Sequence, residues 1–133
     1  MEKAFLDELE EDIRKAALGQ VDADESKNLA AKFLLAQIEI SRSLRKADLD
    51  ARLNKAGTKQ KKAKVYLAEV SKTEKKPSDT LLEQTVNTDK DVISEQKKLD
   101  ESEVKRDELQ DYQNVFKEAH IFFRKCAGDK FDG

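Results

Sequence analysis

Between Ser26 and Lys72 the chain runs without a proline and with a single glycine, Gly57. Along this run Leu29, Phe33, Ala36, Ile40, Leu44, Ala47 and Ala51 recur at three- and four-residue steps. Leu49, Leu53, Ala56, Gln60, Ala63, Leu67 and Val70 keep a strict alternation of four and three. This is helix periodicity, and the second run is a coiled-coil seam with Gln60 as its polar interruption. A helix over the whole run would be ~70 Å long at 1.5 Å per residue. Propensity alone does not hold such a helix in water, so it needs a partner along its length.

The rest of the chain has the same character. Of 133 residues 41% are charged, Trp is absent, and only four Gly and one Pro interrupt the sequence, which points to long helices rather than strands. Phe5, Leu9, Ile13, Ala16 and Ala17 predict an amphipathic first helix with an acidic outer face, stopped by Gly19. The long helix is expected to start after Asp24 or Ser26, either of which can cap it. Residues 71–79 read as a loop, with Pro77 opening a short helix over 79–86 that uses Leu81, Leu82 and Val86 as contacts. Thr88 and Asp91 have capping-box spacing ahead of a last helix from Asp89 to about Ala127. The expected organisation is one helical domain over 1–133. It comprises an acidic N-terminal helix (1–19), a long basic helix (25–72), a loop and short helix (73–88), and a C-terminal oligomerisation helix (89–127). The fold class is all-α, an elongated, coiled-coil-like helical hairpin with a short N-terminal helix, oligomeric.

Charge is distributed unevenly along this frame. From Ser41 to Lys64 the chain carries Arg42, Arg45, Lys46, Arg52, Lys55, Lys59, Lys61, Lys62 and Lys64 against Asp48 and Asp50, nine positive less two negative, or +7. Residues 1–25 hold nine acidic and three basic side chains (−6), and residues 79–111 eleven and five (−6), in a chain whose formal total is −2. The basic run is either a solvated face that pairs with the acidic last helix across the hairpin, or a surface for a polyanion. Its nine cations suit phosphate contact that weakens steeply with salt. Only Tyr66 could stack on a base there, which favours backbone contact over base reading.

Tyr112, Val115, Phe116, Ala119, Phe122 and Phe123, with Ile121, cover most of the circumference of the last helix. A helix apolar on nearly all sides is buried on nearly all sides, so these residues are expected to form a core shared between copies. His120 in their midst reads as a packed side chain. With one His and one Cys, Cys126, the chain offers no zinc set and no disulfide. It has no phosphate-binding glycine loop and no nucleophile and base in a catalytic context, so no enzyme activity, metal or cofactor is expected. A reducing cytoplasm suits the single thiol. No apolar run approaches the ~20 residues of a membrane span, and residue 2 onwards lacks a basic, apolar leader.

Three local elements resemble the UvsY-type recombination mediators of tailed phages. Leu49-Asp50-Ala51-Arg52-Leu53, followed by Gly57, is similar to that family's basic DNA-contact element, with Arg52 on the family's arginine and Asp50 where the family has a lysine. Lys76-Pro77-Ser78-Asp79 resembles the linker after it, and Val86-Asn87-Thr88-Asp89-Lys90-Asp91-Val92 resembles the acidic cap of the family's C-terminal helix. The resemblance implies a non-enzymatic homo-oligomeric ring that binds single-stranded DNA. It also implies help in loading a RecA-like recombinase onto strands covered by single-strand-binding protein, in the host cytoplasm if the chain is of phage origin. The alternative, from residues alone, is a coiled-coil scaffold or chaperone-like adaptor with no nucleic-acid binding.

Overall fold

The structure, a computed structural model, describes residues 2–72 and 77–128. These form four helices: α1 (Lys3–Ala17), α2 (Ala23–Ser71), α3 (Asp79–Thr88) and α4 (Lys90–Cys126), with no strand among the described residues. The chain is all-α, with a long helical hairpin packing of α2 and α4. Residues 73–76, which include Lys76 and much of the expected loop, lie outside the described residues.

Helix ends follow local chemistry. Gly19 at φ 71° takes the left-handed position after α1, and the amides of Gly19 and Gln20 return to the carbonyls of Ala16 and Lys15, closing a Schellman stop. The start of α2 differs from expectation. Its cap is Asp22, whose Oδ1 accepts from the Glu25 amide at 2.8 Å, while Ser26 is buried in the helix at 1% exposure. Asp22 sits seven residues, about two turns, ahead of Leu29, where the apolar periodicity begins, so the periodicity gives no sign of it. Gly57 does not break α2, which is continuous from Ala23 to Ser71.

Ser78 caps α3, accepting from the Leu81 amide at 3.2 Å. Leu82 and Val86 are buried, whereas Leu81, expected as a contact, is exposed. The expected Thr88–Asp91 box does not form. Asp89, extended at φ −62° and ψ 132°, separates α3 from α4, and its Oδ1 accepts from the amides of Asp91 (2.9 Å) and Val92 (3.1 Å). The Thr88 hydroxyl instead donates back to the Gln84 carbonyl at 2.8 Å. A carboxylate one residue closer to the helix reaches two free amides at once, and it meets the positive helix end with a full charge.

The chain divides into two compact units. The first contains described residues 2–45 and 108–128. Its core is Leu9 of α1, Ala30, Phe33, Ala36 and Ile40 of α2, and Phe116, Ala119 and Phe123 of α4. Phe33 stacks on Phe123 with ring centroids 5.4 Å apart and an interplanar angle of 19°, and meets Phe116 at 5.7 Å and 56°. Lys32 ties α1 to α2, donating to Asp12 at 2.8 Å and to Glu8. Burial pulls this ammonium's pKa down, but the hydrogen bonds and charges of Asp12 and Glu8 outweigh it and hold Lys32 above the ordinary lysine range. The half-buried His120 donates from Nδ1 to the Ala30 carbonyl at 2.7 Å. Gln113 donates to the Ser41 hydroxyl at 2.6 Å. Advancing along α2 from Ala30 to Ser41 therefore means retreating along α4 from His120 to Gln113, an antiparallel pairing.

The second unit contains residues 46–72 and 77–107 of the described chain. Here Ala47, Ala51, Leu82, Val86, Val92 and Leu99 are buried with Thr58. Asn54 donates to the Ser102 hydroxyl at 3.1 Å, a Cβ on Gly57 would meet Glu95 at 3.3 Å, and Lys61 pairs with Asp91 at 3.3 Å. Again α4 runs backward as α2 runs forward. The face of α2 against α4 is small and polar, with Ala47, Ala51, Asn54 and Thr58 at steps of four, three and four. Of the expected apolar seam, Leu49, Leu53, Ala56, Gln60, Ala63 and Leu67 are exposed and Val70 is half-buried. Residues 49 and 51 are two positions apart, about 200° around a helix of 3.6 residues per turn, so the two expected runs belong to opposite faces.

Candidate nucleic-acid interface

Arg42 and Arg45 stand in the first unit, both exposed. The second unit holds the other seven cations: Lys46, Arg52, Lys55, Lys59 and Lys64 are exposed, and Lys61 and Lys62 are half-buried. Two of the nine have a carboxylate partner. Arg52 meets Asp48 at 2.9 Å on the same helix face, and Lys61 meets Asp91 across to α4. Among the described residues, Arg42, Arg45, Lys46, Lys55, Lys59, Lys62 and Lys64 carry no ion pair. The acidic face of α4 spends its carboxylates mostly within its own helix, as in Lys98–Glu95, Lys97–Glu101 and Arg106–Glu103.

Because α2 is unbroken, positions in it can be assigned to faces. Arg52, Lys55, Lys59 and Lys62 follow at steps of three, four and three, and Tyr66 continues the series one turn on. Residues at such steps are neighbours on a helix surface. Four cations thus share one flank of α2 over ten residues, about 15 Å at 1.5 Å per residue. Lys61 falls on the side turned to α4, and Lys46 and Lys64 lie off the flank. The nine cations therefore divide into a stripe, a pair-forming lysine and outliers. The spacing was present in the sequence, but it gains meaning only once Gly57 is seen not to interrupt the helix. Near the stripe, Lys62 lines a groove with Asn87, Val92, Ile93, Gln96, Lys97 and Asp100.

The residues expected to join copies fall into two groups. Phe116, Ala119 and Phe123 are buried inside the first unit, and Tyr112 packs against that cluster, donating to Glu10 at 3.3 Å. Val115 and Phe122 remain 45% and 50% exposed. They border an apolar groove with Ile13, Ala16 and Ala17 of α1. Among the described residues no group of His, Cys, Asp and Glu is placed to hold a metal ion, and no helix is long and apolar enough to cross a membrane.

Fold and surface together define a class: an all-helical protein with hairpin packing and a basic stripe on its longest helix. Comparison with protein families, curated proteins and solved structures found no match.

Proposed function

We propose that the chain is a non-enzymatic single-stranded DNA-binding protein that acts as a recombination mediator, helping to load a RecA-like recombinase onto strands covered by single-strand-binding protein. The binding step is carried by one observation. Arg52, Lys55, Lys59 and Lys62 share a flank, and of these only Arg52 forms an ion pair among the described residues. Charge that the hairpin leaves unneutralised is what a phosphate backbone replaces counterions with. A flank with one aromatic side chain, Tyr66, suits contact that is indifferent to base sequence. The mediator step is supported by the likeness of residues 49–57 and 86–92 to the UvsY-type family, and assembly as a ring would multiply weak sites without a strong one in any copy.

The scaffold reading has its own support in the exposed seam from Leu49 to Leu67, which is built like a coiled-coil surface. A salt series separates the two. A labelled oligonucleotide in fluorescence anisotropy is expected to bind with affinity that falls steeply with salt. Changing Arg52, Lys55 and Lys59 together to Gln is expected to lower the slope of log K against log salt by about 2, from ~0.7 per lost contact on a single strand. A chain that does not bind at low salt, or binds unchanged after the triple substitution, refutes the nucleic-acid reading and leaves the scaffold.

A further inference from the structure

In the second unit α2 has two heptad faces, and the packing described above buries one of them. The inner face is taken by α4. On the outer face Leu49, Leu53 and Leu67 are 55%, 61% and 62% exposed, and Ala56, Gln60 and Ala63 between them are exposed as well. Isolated apolar residues on a surface need no explanation, but six consecutive seam positions at steps of four, three, four, three and four do.

We propose that this seam is the docking face for the same seam of a second copy of the chain, lying antiparallel, with Leu49 opposite Leu67. Between Leu49 and Leu67 the spacing reads the same in both directions, so each layer of this register recurs on the other side of a two-fold axis. In this register Leu53 meets Ala63 and Gln60 meets Ala56, so large faces small in successive layers. The edges agree. Flanking the seam on one side are Asp50 and Lys64, both exposed and both without an ion pair among the described residues. The antiparallel register sets Asp50 of each copy beside Lys64 of the other, giving two opposite-charge contacts. On the other edge Arg52 comes beside Tyr66 of the second copy, a cation–π geometry, and only Lys59 meets its own counterpart. A parallel pairing instead stacks Gln60 on Gln60 and sets Lys59 beside Lys64 on both edges of the seam. A partner of uniformly acidic character would satisfy Arg52 and Lys59 but oppose Asp50.

The like-charged edge carries Arg52 and Lys59 of both copies, two of the four residues of the stripe named above. The dimer itself stands on the seam and on the Asp50–Lys64 edge, so it does not depend on nucleic-acid binding.

The test is sedimentation equilibrium of the full chain without nucleic acid, with circular dichroism to confirm that each variant is folded. The wild type is expected at twice the 15.2 kDa chain mass, or at a higher even multiple of it where dimers assemble further into the ring. Leu53→Asp, at an exposed position, is expected to weaken association at least tenfold. Asp50→Lys alone and Lys64→Asp alone are each expected to weaken it, and the double swap to restore it. In a Cys126→Ser background, which removes the only thiol, Lys59→Cys is expected to give a covalent dimer on mild oxidation and Ala56→Cys none. A wild type that remains at the mass of one chain, a double swap that fails to restore the dimer, or cross-linking through Ala56→Cys rather than Lys59→Cys each overturns the proposal. Loss of the dimer with retained, salt-sensitive DNA binding leaves the functional reading standing, and the reverse outcome leaves the dimer standing.

Discussion

The side-chain amide of Asn54 donates to the hydroxyl of Ser102 at 3.1 Å, joining α2 to α4 through two polar residues while the neighbouring Leu53 faces solvent. Asn54 also reaches the Lys98 carbonyl at 3.4 Å. The inner face of α2 here, Ala47, Ala51, Asn54 and Thr58, is small and polar, and this bond adds a polar tie to what the face buries. Asn54→Ala is expected to cost about 1 kcal/mol, the usual net worth of a half-buried hydrogen bond. Thermal unfolding followed by circular dichroism measures it, and an unchanged midpoint would show that α4 is held there by burial instead.

Asp89 supports the start of α4 with two amide bonds, whereas Thr88 supports none. Asp89→Ala is expected to destabilise the chain by about 1–2 kcal/mol, and Thr88→Ala by much less. Denaturant titration of both variants tests the assignment, and a larger loss in Thr88→Ala would reverse it.

Lys32 and Tyr112 give the first unit a common response to alkali. Tyr112 is raised above the ordinary tyrosine value by burial first, then by the charge and hydrogen bond of Glu10. Lys32 is raised by Asp12 and Glu8 against the opposing effect of burial. In both cases the folded state holds its proton more tightly than the unfolded state. The stabilisation is therefore complete below the unfolded pKa values, about 10 for Tyr and 10.4 for Lys, and is lost as pH rises through the higher folded values. Stability at pH 9 should match that at pH 8 as far as these two groups are concerned, then fall above pH 10. Lys32→Met is expected to flatten that fall, which urea midpoints across the pH series would reveal.

The two aromatic residues best suited to probing a shared core behave differently. Phe116 is fully buried in its own chain, so Phe116→Asp is expected to unfold the first unit, and even Phe116→Ala to cost about 3–5 kcal/mol. Phe122 is half exposed, so Phe122→Asp is expected to leave the fold intact. If copies meet through this end of the chain, light scattering of Phe122→Asp will show a smaller species with unchanged helicity. An unaltered mass would remove Phe122 from any interface.

Much of this was legible in the residues. Scarcity of Gly and Pro with steps of three and four predicts helices wherever they occur, because helix periodicity is a local property of the chain. Gly19 and Ser78 end and begin helices as their backbone and hydroxyl chemistry require. The caps fall elsewhere than the residues suggest, at Asp22 rather than Asp24 or Ser26 and at Asp89 rather than Thr88, since several neighbouring side chains can each serve and which one reaches the free amides depends on backbone angles.

The sequence alone determined that α2 carries two apolar runs, at 29–51 and at 49–70, and that the positive charge lies on that helix. It could not say which seam faces α4. Hydrophobicity favours the leucine seam, yet the tertiary structure buries the small, polar one, because Ala47, Ala51 and Thr58 let the helices approach and Asn54 finds a hydrogen bond across the gap. That choice also turns Arg52, Lys55 and Lys59 of the stripe toward the outside and leaves Lys62 half-buried beside α4. The sign and amount of charge follow from composition, but its availability follows from which face of one helix another helix has covered.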